Sequence, residues 1–401
     1  MLDWMQEFYD SSRVASDVPN GLQFDAWRLR VLSVDEFRAF GEETNVRLVS
    51  ERQLYYLAAF NSLAPTTHNT VPQRFIVRPK ESALEIWLDR TAVLPASDRH
   101  GRQALISIGC GVSNTVLAAR CYGLDTQVEV VDVPVAQVCP HRSDEPRYTL
   151  IAKLFFSQTD AAPASLEWLD AMLRRKMVRA HYDSRIKLEE SLCNEMHQLV
   201  KTEYPDIELH LVTDAPTMLV LGKFQELADT TVLNRDDFSL ELGDWLLQNE
   251  STSFVGMRGA EYGLSDKIAQ HIHAGLCRQV SLLPDEVAGF AKGGGLGIRS
   301  SSAVCVLTTT KDDTLQRLAA GRAFEDIALM LVRKGFVVAM HAGVTEVEAP
   351  NLALRGRLRT RARPTVLFRV GVPSNVADGQ RPHAARPPLD RLVLDRTIPY
   401  T

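Results

Sequence analysis

One loop in this chain has the residue types needed to hold a polar, flat ligand. It lies in the run LAAFNSLAPTTHNTVPQRF, residues 57–75. Pro65 ends a short helical pattern, because proline does not fit inside a helix. Thr66, Thr67 and Asn69 then supply hydroxyl and amide groups that can direct several donors and acceptors at one ligand. The same composition is also typical of a turn that caps its own helix end, and the run alone leaves both interpretations open.

Other chemical signals in the chain are weaker. KGGGLG, residues 292–297, lacks the Gly-Lys-Ser/Thr of a phosphate loop, and we predict a flexible turn before a strand. His271, His273 and Cys277 are too few for a metal site of defined geometry, so we expect surface or packed side chains and no metal. No serine has the Gly-x-Ser-x-Gly context of a hydrolase nucleophile.

Composition favours a water-soluble protein with room for two ordinary domains. The chain has 401 residues, 45% of them hydrophobic and 24% charged, with a formal net charge of −5. An acidic balance argues against bulk attraction to nucleic acid or an anionic membrane. We expect no apolar run long enough to span a bilayer, no signal peptide and a cytoplasmic location. The six cysteines include no Cys-x-x-Cys pair and are expected to be small buried residues.

The elements that would position these residues follow from hydrophobic periodicity. Strong apolar stripes at helical spacing predict helices over Gly101–Tyr122 and Ala319–Lys334, each closed by a glycine. Further helices are predicted at Leu166–Val178, Leu188–Val200, Pro216–Leu233 and Leu240–Gln248. Strands are predicted at Arg74–Val77, Leu84–Leu88, Thr126–Val131, Tyr148–Phe155, Ile207–Thr213, Ala303–Thr309, Phe336–Met340 and Pro364–Val370. The glycine-containing stretches 251–264 and 293–297 are expected to be mobile and could form a lid.

The two halves of the chain show a weak internal repeat. Gly123 and Gly335 are 335 − 123 = 212 positions apart, and each ends an apolar helix before a strand. The polar link SQTDAAPAS, residues 157–165, is the best boundary. We therefore predict a first unit at 1–160 and a second unit at 161–401, the latter with a basic motif, the possible lid and a C-terminal arm.

The 57–75 run resembles the flavin-binding segment of the nitroreductase family, where a helix ends in Pro-Ser-Ser-x-Asn-x-Gln-Pro-Trp. Pro65, Thr66, Thr67 and Asn69 match the proline, both hydroxyls and the asparagine, and a second proline follows. Val71 and Gln73 stand where the family has Gln and Trp.

The second half resembles the rest of the family's flavin site. The helix, glycine and strand that lead to Met340 and His341 are similar to the segment that contacts the flavin ring. Arg386 lies in a Pro-Pro-Leu-Asp context similar to the C-terminal arm that reaches the phosphate. The stretch 179–185 stands where the family has Arg-x-Ser/Thr-x-Arg, with His181 and Arg185 on the two arginines.

These matches are divided between the halves, as in the tandem Acg-type nitroreductase-like proteins. The resemblance implies an α+β fold of two fused nitroreductase-like units, each a mainly antiparallel sheet packed with helices, forming an intramolecular pseudo-dimer with one FMN. Pro65, Thr66, Thr67 and Asn69 would hold the ring and ribityl region, with Met340 and His341 beside the ring. Arg185 and Arg386 would bind the phosphate, with Arg179 and His181 as further candidates. The flavin would carry the redox step, so no catalytic acid or nucleophile is assigned.

The resemblance implies an oxidoreductase that passes reducing equivalents from NAD(P)H to a small acceptor. The partners are then small molecules, with no nucleic acid or membrane, and the protein is a monomeric pseudo-dimer or a homodimer. Three alternatives stay open: a protein that sequesters or stores FMN, an enzyme of this fold that modifies its flavin, and a cofactor-free scaffold.

Overall fold

A computed structural model describes residues 3–10, 28–41, 48–279 and 284–395. In this described part the strands are β1 Gln73–Arg78, β2 Ala83–Asp89, β3 Leu124–Val130, β4 Tyr148–Gln158, β5 Ile207–Val212, β6 Leu246–Leu247, β7 Met257–Arg258, β8 Ala303–Thr309, β9 Val337–Met340 and β10 Arg363–Gly371. The helices are α1 Val34–Ala39, α2 Glu51–Asn61, α3 Arg102–Cys121, α4 Glu167–Arg174, α5 Glu190–Glu203, α6 Ala215–Leu233, α7 Asp236–Trp245, α8 Asp266–Leu276, α9 Pro284–Arg299, α10 Thr314–Arg333, α11 Ala342–Glu346, α12 Glu348–Leu358 and α13 Val376–Gly379.

Two four-stranded antiparallel sheets of the same topology organise the chain. The first has the order β1-β2-β4-β3 and the second β5-β8-β10-β9, so each places its first, second, fourth and third strands side by side. The long helices are offset by one constant value, since 314 − 102 = 212 and 333 − 121 = 212 for α10 and α3. The prediction of an α+β fold with two antiparallel units packed with helices is confirmed.

The helices α3 and α10 join the two units through a glycine contact. A Cβ atom at Gly109 would lie 2.2 Å from the carbonyl oxygen of Leu318, and one at Gly321 would lie 2.0 Å from that of Ile106. Only glycine allows the two backbones to come this close. As a result Leu318 packs in the core of the first unit, while Ile106 packs in that of the second.

The main difference between the units is a helical insertion in the second. The link between β1 and β2 is a four-residue turn at 79–82, whereas β5 and β8 are separated by residues 213–302, which carry α6 to α9. The KGGGLG run lies inside α9, so the predicted turn is wrong. A Cβ at Gly222 or at Gly295 would lie within 2.9 Å of the other residue's backbone oxygen. The absence of both Cβ atoms allows α9 to pack tightly on α6, which explains why this run is helical.

The C-terminal arm crosses from the second unit to the first. Val393 bridges Phe75 in parallel, and the backbone N–H of Phe75 donates to the Leu392 oxygen at 2.9 Å. The arm thereby extends the first sheet beside β1. This crossing brings residues 381–386 close to the loop at 65–69, although the two segments lie more than 300 positions apart.

Helix α3 corrects the expectation that no apolar run is long enough to span a bilayer. Among the described residues it alone has the length and apolar composition of a membrane span. Within the protein, however, 83% of its 18-residue apolar window is buried, because α3 packs against both units.

The six cysteines divide equally by burial. Cys110, Cys121 and Cys305 are buried, whereas Cys139, Cys193 and Cys277 are half-buried.

Candidate functional site

The backbone of the Thr66–Val71 loop is strained. His68, Asn69 and Val71 have φ values of 49°, 55° and 49°, in the left-handed region that side chains rarely adopt. A branched residue such as Val71 is especially unfavourable there. The loop keeps this shape through hydrogen bonds from Val71 N to the Thr66 hydroxyl (3.1 Å) and from the Thr67 hydroxyl to Gln103 Oε1 (2.8 Å). Strain held in this way is characteristic of functional loops.

Two adjoining clefts open on this loop. The first cleft encloses about 720 Å³ and the second about 770 Å³, each including space open to solvent. The clefts meet at residues that line both, namely Pro65, Thr66, His68, Met177 and Arg179.

The linings of the two clefts differ in chemistry. The first cleft is formed by the loop, residues 175–179, residues 257–262 and the arm at 378–386, and it is rich in charged groups. The second lies between the start of α3 and the sheet of the second unit, and its walls include Ile106, Met340 and Leu367. One cleft is therefore suited to an anionic ligand and the other to a flat apolar one.

Most of the predicted site residues come together at these clefts. Pro65, Thr66, Asn69, Arg179 and Arg386 line the first cleft. Thr67 and Met340 line the second, together with Pro65, Thr66 and Arg179. His341, His181 and Arg185 line neither cleft.

Arg185 lies on the protein surface, outside both clefts. Its side chain is 89% exposed, and its Nε and Nη2 atoms donate to the two carboxylate oxygens of Asp183 at 2.9 and 2.7 Å. His181 is also exposed. Both residues thus lie on the surface and outside the clefts that hold the other predicted site residues, and their phosphate contacts stay a prediction.

The basic segment at the clefts is instead residues 175–179. Arg175, Lys176 and Arg179 line the first cleft, and Arg175 and Arg179 have the same Arg-x-x-x-Arg spacing with Met177 at the hydroxyl position. The sequence prediction placed the same spacing six residues later, at 181–185. The Arg-x-x-x-Arg spacing can be read from the sequence, whereas the position of this segment relative to the 65–69 loop cannot.

Arg175 and Arg179 differ in their surroundings. Arg175 is buried, and its Nε lies 2.9 Å from the carboxylate of the equally buried Glu325. Arg179 is exposed, contacts the Tyr262 hydroxyl at 3.3 Å and has no ion pair among the described residues. Its guanidinium also lies over the Tyr262 ring, 5.3 Å from the centroid. Arg179 is thus the lining arginine best placed to meet an anion.

Asn69 and Arg386 are bound to the protein itself. The Asn69 amide nitrogen donates to the backbone oxygens of Phe254 (3.3 Å), Gly256 (3.0 Å) and Ala385 (2.9 Å). Its Oδ1 accepts from Nη1 of Arg386, and Nη2 of Arg386 donates to the Ala64 oxygen at 3.0 Å. Both residues line the first cleft, where these hydrogen bonds engage the Asn69 amide and two nitrogens of Arg386. Their contacts with a flavin stay predictions.

The first half of the predicted lid lies over the loop. We call residues 251–264 the cover segment. Gly256 N donates to the backbone oxygen of Asn69 at 3.1 Å. Met257, Glu261 and Tyr262 form one wall of the first cleft. The other predicted part, 293–297, lies in α9 and lines neither cleft.

Several ionisable groups around the clefts have shifted pKa values. Burial, with the positive charge of Arg179, lowers the pKa of His68 to about 4, so its imidazole is neutral at physiological pH. Burial raises the pKa of Glu261 to about 7, although Arg258 partly opposes the shift. Burial also lowers the pKa of His341, helped by Arg369 and Arg179. Clusters of shifted groups in a cleft mark candidate functional sites.

His341 does not line the second cleft. It follows Met340, the last residue of β9, and forms the N-cap of α11. Met340 lines the cleft, whereas His341 is buried within electrostatic reach of Arg369 and Arg179.

The histidines of α8 have structural partners. His273 Nδ1 lies 3.0 Å from the backbone oxygens of both Gly243 and Leu246, and Cys277 Sγ lies 3.9 Å from His273 Nε2. Across the described ranges, no three His, Cys, Asp or Glu residues are grouped to hold a metal ion.

Comparison with known proteins finds relatives without an assigned activity. No family model matches the chain. The chain is 26% identical over 347 residues to the uncharacterized protein Rv3127 of Mycobacterium tuberculosis strain H37Rv, covering 84% of this chain and 91% of that protein. The uncharacterized protein MT3212 of strain CDC 1551 matches with the same values.

Comparison with solved structures finds flavoenzymes at low similarity. One is the FMN and NADPH-dependent nitroreductase NfnB from sphigopyxis sp. strain HMH, with 15% identity, a TM-score of 0.37, and coverage of 58% of this chain and 99% of that one. Another is the FMN-dependent nitroreductase NfnB from Mycobacterium smegmatis in complex with NADPH, with 13% identity, a TM-score of 0.36, and coverage of 57% and 98%.

Proposed function

We propose that this protein is an FMN-dependent oxidoreductase that passes reducing equivalents from NAD(P)H to a small acceptor. One observation carries the proposal: the strained loop at 66–71 meets the basic segment at 175–179 in a pair of joined clefts. The loop belongs to the first unit and the basic segment precedes the sheet of the second. We also propose the chain division 1–160 and 161–401 for these units.

The residues at the clefts fit FMN, through a set that overlaps only in part with the one predicted from the sequence. A phosphate carries about two negative charges at neutral pH and is well matched by an arginine. Arg179 is exposed at the junction of the clefts and has no ion pair among the described residues, which supports it as the residue that binds the phosphate. Ile106, Met340 and Leu367 supply apolar walls for a flat ring. Asn69 and Arg386 hold the pocket together and do not contact the cofactor in this proposal.

Bound FMN would supply the two-electron chemistry. The residues of the chain would bind it, orient it and limit the access of water. Thr66 and Thr67 lie at the second cleft with hydroxyls already held by Val71 N and Gln103, so they form a rigid edge. The cover segment encloses the first cleft on one side through Met257 and Tyr262.

An absorption spectrum of the purified protein, followed by titration with FMN, tests the proposal directly. We expect a flavin spectrum or saturable FMN uptake, and oxidation of NADPH or NADH by the loaded protein. A colourless protein that takes up no FMN would contradict both binding and catalysis.

The cover segment favours a second candidate, a protein that sequesters FMN with little turnover. The Asn69 amide ties this segment and the arm over the loop, which would slow the exchange of any enclosed ligand. Steady-state NADPH oxidation distinguishes the candidates: sustained turnover supports the oxidoreductase, whereas tight FMN binding without turnover supports sequestration.

A further inference from the structure

We propose that the outer face of helix α12 and the turn after it dock a segment of a protein partner that carries carboxylates beside an apolar side chain. This surface lies outside the site described above, since no residue from 348 to 361 lines either cleft. Its role therefore does not depend on flavin binding.

Four arginines are concentrated at the C-terminal end of α12. We call Arg355, Arg357, Arg359 and Arg361 the arginine cluster. Arg355 is half-buried, and the other three are exposed. The chain turns back at Arg359, which has a φ of 55°, and the Arg355 side chain donates to the backbone oxygen of Arg361. The four residues thus share the last helical turn and the bend that follows it.

The described part of the chain supplies no ion pair to the arginine cluster. Arg357 donates to the hydroxyl of Thr217, a neutral group. Among the carboxyl groups nearby, Glu346 is paired with Arg102, which belongs to the first unit. Asp214 lies within electrostatic reach of Arg357, but it accepts from the Thr217 N–H at the start of α6. The positive charge of the cluster is therefore left to solvent.

Helix electrostatics explain only part of this cluster. Cations in the last turn of a helix are favoured by its dipole, and Arg355 and Arg357 lie there. Arg359 and Arg361 follow the helix, and like charges four positions apart repel one another. The left-handed φ of Arg359 is also unfavourable at a helix end, where glycine is usual. Such a concentration of unpaired charge is expected where a negatively charged partner compensates it.

The side of α12 that faces solvent is apolar. Its exposed positions recur at the spacing of one helical face, and they are Ala349, Leu352, Ala353 and Gly356. Leu352 is 51% exposed, whereas Leu354 on the opposite side is buried in the core. A surface helix normally turns polar and charged residues to water. This apolar face instead leads directly to the arginine cluster, which indicates a partner with both apolar and acidic groups.

The charge of the whole chain favours a protein segment over other anionic partners. Without the four arginines the net charge would be −5 − 4 = −9. Nucleic acid or an anionic membrane would extend over this acidic remainder, whereas a short acidic segment would meet the cluster alone. A second copy docked through the same face would place arginines against arginines. An apolar side chain next to the carboxylates would cover Leu352.

Fluorescence anisotropy with a short labelled peptide of glutamates and leucines tests this surface. We expect saturable binding, weakened about 10-fold or more by the triple variant Arg357→Gln/Arg359→Gln/Arg361→Gln. Leu352→Ser should weaken binding about 3-fold or more, because it removes apolar contact area.

The matched control is Arg38→Gln/Arg142→Gln/Arg174→Gln, which removes the same charge from exposed arginines elsewhere. It should leave the affinity within about 2-fold of the native value, since screening confines the effect of distant charges. Urea unfolding shows that each variant is folded.

Three outcomes would overturn the proposal. Equal losses in the two triple variants would mean that net charge alone attracts the peptide. The absence of saturable binding, or equal binding of a peptide with glutamine in place of glutamate, would exclude recognition of carboxylates. Tighter binding of phosphatidylserine vesicles or of single-stranded DNA through the arginine cluster would assign the surface to a membrane or to nucleic acid.

Discussion

Oδ1 of Asn69 accepts a hydrogen bond from Nη1 of Arg386, a residue 317 positions further along the chain. The same amide donates to Gly256 in the cover segment and to Ala385 in the arm. One buried side chain therefore joins the loop of the first unit, the insertion of the second unit and the C-terminal arm.

Removal of this amide should loosen all three segments. We expect Asn69→Ala to lower the free energy of unfolding by about 2–4 kcal/mol, since it leaves buried polar partners unsatisfied and puts alanine at a positive φ. Limited proteolysis should show faster cleavage within 251–258. Asn69→Gly separates the two causes because glycine tolerates the φ of 55°. Asn194→Ala, at an exposed asparagine of α5, is the surface control. Unchanged unfolding and proteolysis in both Asn69 variants would contradict the proposed linkage.

Substitutions of Arg179 and Arg185 test which arginine binds the FMN phosphate, the one that lines the clefts or the one predicted first from the sequence. Arg179→Ala should weaken FMN binding by about 1.5–3 kcal/mol, the usual loss for a hydrogen bond to a charged group. Arg185→Ala should leave FMN affinity unchanged, because Arg185 is 89% exposed and paired with Asp183. Fluorescence titration measures both values. If only Arg185→Ala weakens binding, the cofactor lies elsewhere.

The glycine contact between α3 and α10 makes a prediction about stability. Gly109→Ala and Gly321→Ala would each place a Cβ within about 2.2 Å of a backbone oxygen that cannot move freely, and each should cost about 3 kcal/mol or more. Gly356→Ala in α12 has no neighbour within 4 Å and should stabilise by about 0.5–1 kcal/mol through helix propensity. Urea unfolding compares the three variants. Equal effects at all three positions would refute close packing at the crossing.

Asp229 should make stability fall as pH rises. Burial raises the pKa of Asp229 to about 7 from 3.8, despite a hydrogen bond from Gln225 (2.7 Å) and the charge of Arg179. Between these values the folded protein holds a proton that the unfolded chain has released, so the stabilising contribution of the neutral acid is lost progressively as pH rises through 7. The side-chain amide in the variant Asp229→Asn cannot ionise.

We expect Asp229→Asn to match the native protein at pH 4 and to be more stable at pH 8, by at most about 4 kcal/mol. Urea unfolding at pH 4, 6 and 8 measures the difference between the two proteins. A difference that does not change with pH would show that Asp229 is ionised throughout or is not buried in this way.

Secondary structure was largely predictable because its causes are local. The strand at Ala303–Thr309 has the predicted bounds, since a short run of branched apolar residues is decisive there. Helix α10 begins at Thr314, five residues before the predicted start, because the Asp313 side chain caps it by accepting from Gln316 N at 2.9 Å. The predicted helix at 240–248 ends earlier, at Trp245, and is followed by β6.

The glycine-rich stretch at 292–297 was not predictable in the same way. Glycine lowers helix propensity, which favours a turn in an isolated peptide. In the folded protein the missing Cβ atoms let α9 approach Asp229 and Gly222, so the packing energy of a close helix pair outweighs the local preference.

The sequence by itself indicated most of the strands and the long helices, a weak internal repeat and the loop that combines Pro65 with Thr66, Thr67 and Asn69. These follow from periodicity, turn chemistry and residue type, which depend on near neighbours. Tertiary structure alone decided that Asn69 and Arg386 bind each other, that Arg179 faces a cleft and that Arg185 faces solvent. The reason is physical: the role of a polar side chain depends on the partners that the fold brings to it, and those of Asn69 lie 185 to 317 positions away in the chain.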